Sequence, residues 1–249
     1  MKRKKGLRAV VLDNDETTGA YRLLVCLLSV ICKINETTLD EFLYFLEQLA
    51  EWMEKNYLFR PGLDILLKTL YRLREQNRID VIIMYTNQTE SFAKTILPLI
   101  NSPPQCIAYM MTHLSKKRIF DRILARKTDT AILKRFERIL DEFPEAPKDI
   151  RHIVFVDDLA SPTFITANTI EKEYMSPDSW YPVKPYKHIL TIEEFMDCIE
   201  YCFTEIKITE KHIEICMANY YMNESEENQT NYKEDNELIH LSEFLIRHF

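Results

Sequence analysis

Asp13-Asn14-Asp15-Glu16-Thr17 follows directly on the apolar run Ala9-Val10-Val11-Leu12. A short apolar run bounded by polar residues suits a buried parallel strand. In open α/β sheets ligands gather at the carboxyl ends of such strands, which places Asp13 and Asp15 at the mouth of a site. Two carboxylates two residues apart on extended backbone share a face and repel each other, unless a cation bridges them or one keeps a proton. That is the chemistry of a metal-assisted site. The simpler alternative for this segment alone is a strand followed by an acidic helix cap.

A second strand-end acid pair stands far down the chain, in His152-Ile153-Val154-Phe155-Val156-Asp157-Asp158. Between the two lies Asp80-Val81-Ile82-Ile83-Met84-Tyr85-Thr86-Asn87, an apolar strand that ends in a hydroxyl and an amide. Three strands thus carry complementary polar groups at their ends, and they can serve one site only if they are neighbours in one sheet.

This set, in this order, resembles the haloacid dehalogenase superfamily of phosphohydrolases, with its DxDx[TV] first motif, strand-end Ser/Thr second motif, lysine third motif and acidic fourth motif. Leu58-Phe59-Arg60-Pro61-Gly62, ahead of the helical-looking Leu63 to Leu70, and Asp157-Asp158-Leu159-Ala160-Ser161-Pro162-Thr163-Phe164 narrow the likeness. Both are similar to segments of the phosphatases that act on the RNA polymerase II C-terminal domain and their small relatives. The resemblance runs from about Leu7 to Phe203. It departs from that branch at Asn14 and Thr18, where the branch carries leucines.

The resemblance implies an α/β fold of Rossmannoid type, three layers about a central parallel sheet, with a small helical cap inserted after the first motif. It implies a phosphomonoester hydrolase in which Asp13 attacks phosphorus as a carboxylate nucleophile and Asp15 alternates as general acid and base. Mg²⁺, a hard ion that prefers oxygen ligands, is the implied cofactor. Its implied ligands are Asp13, the backbone carbonyl of Asp15, and Asp158 or Asp157, with Asp158 the first choice. Thr86, with Asn87 beside it, would bind the phosphoryl oxygens, although Thr86 also suits an N-cap. Lys127, just ahead of a helix, is the candidate third-motif lysine, with Lys134, Lys116 and Lys148 as alternatives. The implied substrate is a phosphorylated molecule, with a phosphoserine or phosphothreonine protein as the leading class; a small-molecule or nucleic-acid-end phosphatase and a catalytically idle binding scaffold are the alternatives.

Composition agrees with a soluble enzyme. The 249 residues suffice for one α/β domain, and the net charge of −7 argues against a basic nucleic-acid surface. The basic start Met1-Lys2-Arg3-Lys4-Lys5 reads as a solvated tail. The longest apolar run, Leu23 to Cys32, is about half the length needed to span a bilayer. With no secretory leader apparent and six cysteines that lack zinc-ligand spacing, the expectation is an intracellular protein of cytoplasm or nucleus, its thiols reduced and buried.

The phosphatase domain is placed at 1–206, with the cap-like insertion at about 21–57. Tyr21 to Lys33 reads as a buried helix and Leu39 to Asn56 as an amphipathic one; the pair either covers the site or packs on the sheet. A strand is expected near Cys106 to Met111, a helix from about Asp129 to Phe143, a loop over Asn168 to His188, and a closing helix from Thr191 to Ile206. That helix is given an apolar face of Ile192, Phe195, Met196, Ile199 and Phe203. Residues 207–249 form an extension whose acidic stretch Asn223 to Asn236 is expected to be mobile, with Glu237 to Phe249 as a short amphipathic helix.

Overall fold

The first apolar run forms strand β1 (Ala9–Leu12), every residue of it buried. The computed structural model of the chain describes residues 6–21, 26–27, 46–90, 93, 119–126, 136–144, 152–158, 180–202, 209–221 and 230–249. Within them β1 is the centre of a five-stranded sheet. Strands β2 (Val81–Thr89) and β3 (Arg122–Arg126) lie on one side of it, and β4 (Ile153–Asp157) and β5 (Trp180–Pro182) on the other. The order is β3-β2-β1-β4-β5, and every pair is parallel. The register sets Leu12 against Met84 on one flank and against Val156 on the other.

Side-chain alternation divides the core. Val10, Leu12, Ile82, Met84, Val154 and Val156 point into one apolar cluster, while Ala9, Val11, Ile83, Tyr85, Ile153 and Phe155 point into a second. Both faces of these strands are therefore covered, which is why they read as unbroken apolar runs. The first face receives helices α1 (Leu46–Lys55) and α2 (Leu63–Glu75). The short α3 (Phe136–Asp141) places Ile139 on the second. The first face also receives α4 (Ile192–Cys202), α5 (Glu210–Tyr221) and α6 (Glu237–His248). This is an α/β architecture with helices on both sides of a parallel sheet.

Several expectations are corrected. Strand β3 falls at 122–126, where no strand was expected; its apolar core is only Ile123-Leu124-Ala125 between two arginines, as suits a charged edge strand. The stretch Cys106 to Met111 lies outside the described residues. Strand β5 sits inside the expected 168–188 loop, where Pro182 is tolerated because the strand pairs on one side only. The buried face of α4 is Phe195, Cys198, Ile199 and Cys202, whereas Ile192 is 58% exposed. Helix α5 adds Cys216 and Tyr220 to the core.

Of the helical insertion after the first motif, 28–45 lies outside the described residues. Its described helix α1 packs into the helical layer against α4. Leu49, Ala50, Trp52 and Met53 are buried there, and Trp52 Nε1–H donates to Asp197 Oδ2 at 2.9 Å. Of the acidic stretch 223–236, residues 223–229 lie outside the described residues; in the remainder Thr230 N–H donates to Lys187 O at 2.8 Å and Asp235 is buried. From there the chain enters α6, which lies on α2.

Candidate metal centre

Where β1 ends, Asp13 N–H donates to Val156 O at 2.9 Å, so the first-motif acid is tied to the adjacent strand β4. The sheet edge here is also where chain order reverses, since β1 has the earlier-connected β2 on one side and β4 on the other. Such a reversal opens a crevice beyond the strand ends. Into it come Asp13 from β1 and the pair Asp157 and Asp158 from β4, with one carboxylate oxygen of each lying within 4.8 Å of the others. Asp13 and Asp157 are buried, and Asp158 is half-buried. Asp157 and Asp158 thus both stand beside Asp13.

Three carboxylates at such distances repel one another more strongly as water is excluded, and a bound cation or a retained proton would relieve that repulsion. The donor set, all hard oxygens, can hold a metal ion.

The loop that follows β1 is shaped by its own hydrogen bonds. Thr18 N–H donates to Asn14 O at 2.9 Å, Glu16 N–H to Gly19 O at 2.9 Å, and Thr18 Oγ1–H to Asn14 O at 2.9 Å. Gly19 is required: a Cβ there would fall 2.6 Å from Leu58 O and 2.8 Å from the Tyr21 ring. Thr17 Oγ1–H donates to Asp158 Oδ1 at 3.0 Å and so orients one of the three carboxylates. Asp15 takes part differently. Its Oδ1 accepts Tyr21 N–H at 3.1 Å, and its carboxylate stands outside the group of three. Burial, reinforced by the Asp15 charge, raises the Tyr21 phenol far above its ordinary range and keeps it protonated.

Thr86 is buried in β2, where the pairing with β3 shifts register between Tyr85 and Thr89. Gln88 N–H donates to its Oγ1 at 3.2 Å. Gln88 Oε1 in turn accepts Asn14 Nδ2–H at 3.0 Å, which links the ends of β1 and β2. Asn87 lies in the same strand. Lys127, Lys134, Lys116 and Lys148 lie outside the described residues.

Arg60 was given no role from the sequence. Arg60 is buried; its Nη1–H donates to Glu16 O at 3.3 Å and Thr17 O at 3.2 Å, and its Nε–H to Asp235 Oδ2 at 3.0 Å. An arginine ahead of Pro61-Gly62 was visible in the sequence; its buried acidic partner, far away in the chain, was not. A cavity of about 440 Å³ adjoins this residue, bordered by Glu54, Tyr57, Asp64 and Tyr232, but none of the three carboxylates lines it.

The four described cysteines, Cys26, Cys198, Cys202 and Cys216, are free and buried. The Cys202 contact and then burial raise the Cys198 thiol, and burial pushes Cys216 up to about 12. The chain matches no protein-family model and no curated protein sequence.

Proposed function

We propose that the chain is a Mg²⁺-dependent phosphomonoester hydrolase of the haloacid dehalogenase type, which works through an aspartyl-phosphate on Asp13. The observation that carries this reading is the convergence of Asp13, Asp157 and Asp158 at adjacent strand ends. Together with the Asp13-x-Asp15 spacing and the hydroxyl of Thr86, it supplies the groups an in-line phosphoryl transfer needs. Asp13, Asp157, Asp158 and the backbone carbonyl of Asp15 would hold the ion. When bound, Mg²⁺ offsets the crowded negative charge and orients the phosphoryl group.

An Asp13 carboxylate oxygen attacks phosphorus, and the bond to the substrate oxygen breaks as Asp15 gives that oxygen its proton. Water then attacks the same phosphorus and yields its proton to Asp15, so that phosphate leaves and both carboxyl groups return to their starting states. Thr86 donates its hydroxyl proton to an equatorial oxygen. The Gln88 N–H on its lone pair turns the hydroxyl for that task. The described helix of the insertion, α1, packs against α4 in the helical layer, which favours a phosphoprotein substrate.

Turnover of an aryl phosphate, followed with Mg²⁺ and with a chelator, tests the reading. Activity should require the ion, and Asp13→Asn should lower it by at least about a hundredfold while the protein stays folded. Substantial turnover by folded Asp13→Asn would sink the covalent mechanism.

A further inference from the structure

The loop that carries Thr17 is under strain. Glu16 has φ 57, a left-handed conformation unfavourable for a residue with a Cβ, so contacts from outside must hold it. Tyr186 N–H donates to Glu16 O at 2.7 Å, and Arg60 Nη1 reaches both Glu16 O and Thr17 O. The guanidinium is a rigid planar fork, so whatever fixes its plane fixes the direction of Nη1. Among the described residues the buried Arg60 Nη2 has no hydrogen-bond partner, so Nε and Nη1 set the plane together with the Tyr186 ring, whose centroid lies 5.5 Å from the guanidinium carbon. The partner of Nε is Asp235, in an ion pair at 3.0 Å whose side chains are 0% and 2% exposed. Asp235 is gripped in turn: its Oδ1 accepts Glu237 N–H at 3.0 Å, at the start of α6.

From these contacts we infer that Asp235 is a positioning residue for the three carboxylates and acts on Asp158 through Arg60 and Thr17. The contacts run from Asp235 Oδ2 to Arg60, from Arg60 Nη1 to the Thr17 carbonyl, and from the Thr17 hydroxyl to Asp158 Oδ1. The C-terminal segment thereby sets the orientation of a candidate metal ligand more than seventy residues before it in the chain. The inference rests on reading the carboxylates as a cation site, and it concerns how well that site is formed.

The test is a titration of the full-length protein with Mn²⁺, followed by the electron paramagnetic resonance of the free ion, beside a thermal unfolding scan of each variant. The wild type should bind one Mn²⁺. Thr17→Val should bind about tenfold more weakly, the lower end of what a partner of a metal ligand contributes. Asp235→Asn strands a buried guanidinium and can unfold the chain, so the apolar pair R60M/D235L accompanies it; such replacements of buried ion pairs often keep the fold. The pair variant, folded at the titration temperature, should match the roughly tenfold loss of Thr17→Val, and combining the two should add little further. Wild-type affinity in a folded R60M/D235L protein, or fully additive losses, would overturn the positioning role and leave Asp235 as a fold contact. Absence of Mn²⁺ binding by the wild type would overturn the cation-site reading itself.

Discussion

Thr86 and His188 show how a single side chain is tuned by its neighbours. The Thr86 hydroxyl is buried and accepts Gln88 N–H, while its own O–H is a donor. Thr86→Val keeps the shape and removes that donor together with the acceptor of Gln88 N–H. It should lower kcat by about a hundredfold, the cost of losing one oxyanion-type donor, with the thermal unfolding temperature little changed; steady-state kinetics beside an unfolding scan checks both. At His188, burial lowers the imidazole pKa below its ordinary 6.5, against the opposing pull of Glu194 and the Asn56 backbone. The unfolded chain therefore binds the proton more readily. Stability from this group is present above pH about 6.5 and is lost as pH falls through the depressed folded value. His188→Gln should flatten that part of the stability profile in urea titrations across the acidic range, and an unchanged slope would show that other groups set it.

Elements were legible in proportion to how much of their pattern is their own. β1, β2 and β4 are covered on both faces, so each is a continuous apolar run that announces a central strand. β3 and β5 are short edge strands whose formation depends on a neighbour already in place, and neither carries enough apolar residues to stand out. The turn into α2 belongs to the same scale. Gly62 adopts φ 80, and a Cβ there would meet Ile239 Cγ1 of α6 at 2.9 Å. Gly62→Ala combines left-handed backbone strain with a collision between α2 and α6. It should cost at least about 1–2 kcal/mol, read as a drop of several degrees in the unfolding temperature. An unchanged temperature would mean that α6 gives way without consequence.

At the scale of the molecule, the crevice gathers carboxylates that are close to one another and largely removed from water, so a bound cation and the folded state should support each other. Mg²⁺ binding to the folded chain alone should raise its unfolding temperature, by an amount equivalent to about 2.7 kcal/mol at a hundredfold excess over Kd. The rise should vanish in Asp157→Asn, and scanning calorimetry with and without a chelator makes the comparison. Among the described residues no helix is long and apolar enough to cross a membrane.

The sequence by itself determined the central strands and the acids at their ends. Local pattern is enough for that: an apolar run seeks the interior, and a carboxylate stops it. The spacing of Asp13 and Asp15, the hydroxyl of Thr86 and the pair Asp157-Asp158 were all readable in this way. Only the tertiary structure decided that Asp157 joins Asp158 beside Asp13, because strand order and register depend on the packing of the whole sheet. It also decided that Thr17 orients Asp158 and that Arg60 finds Asp235. A buried charge is stable only beside its opposite, and the residue that provides it is chosen by which segments meet in the fold, whatever their separation in the chain.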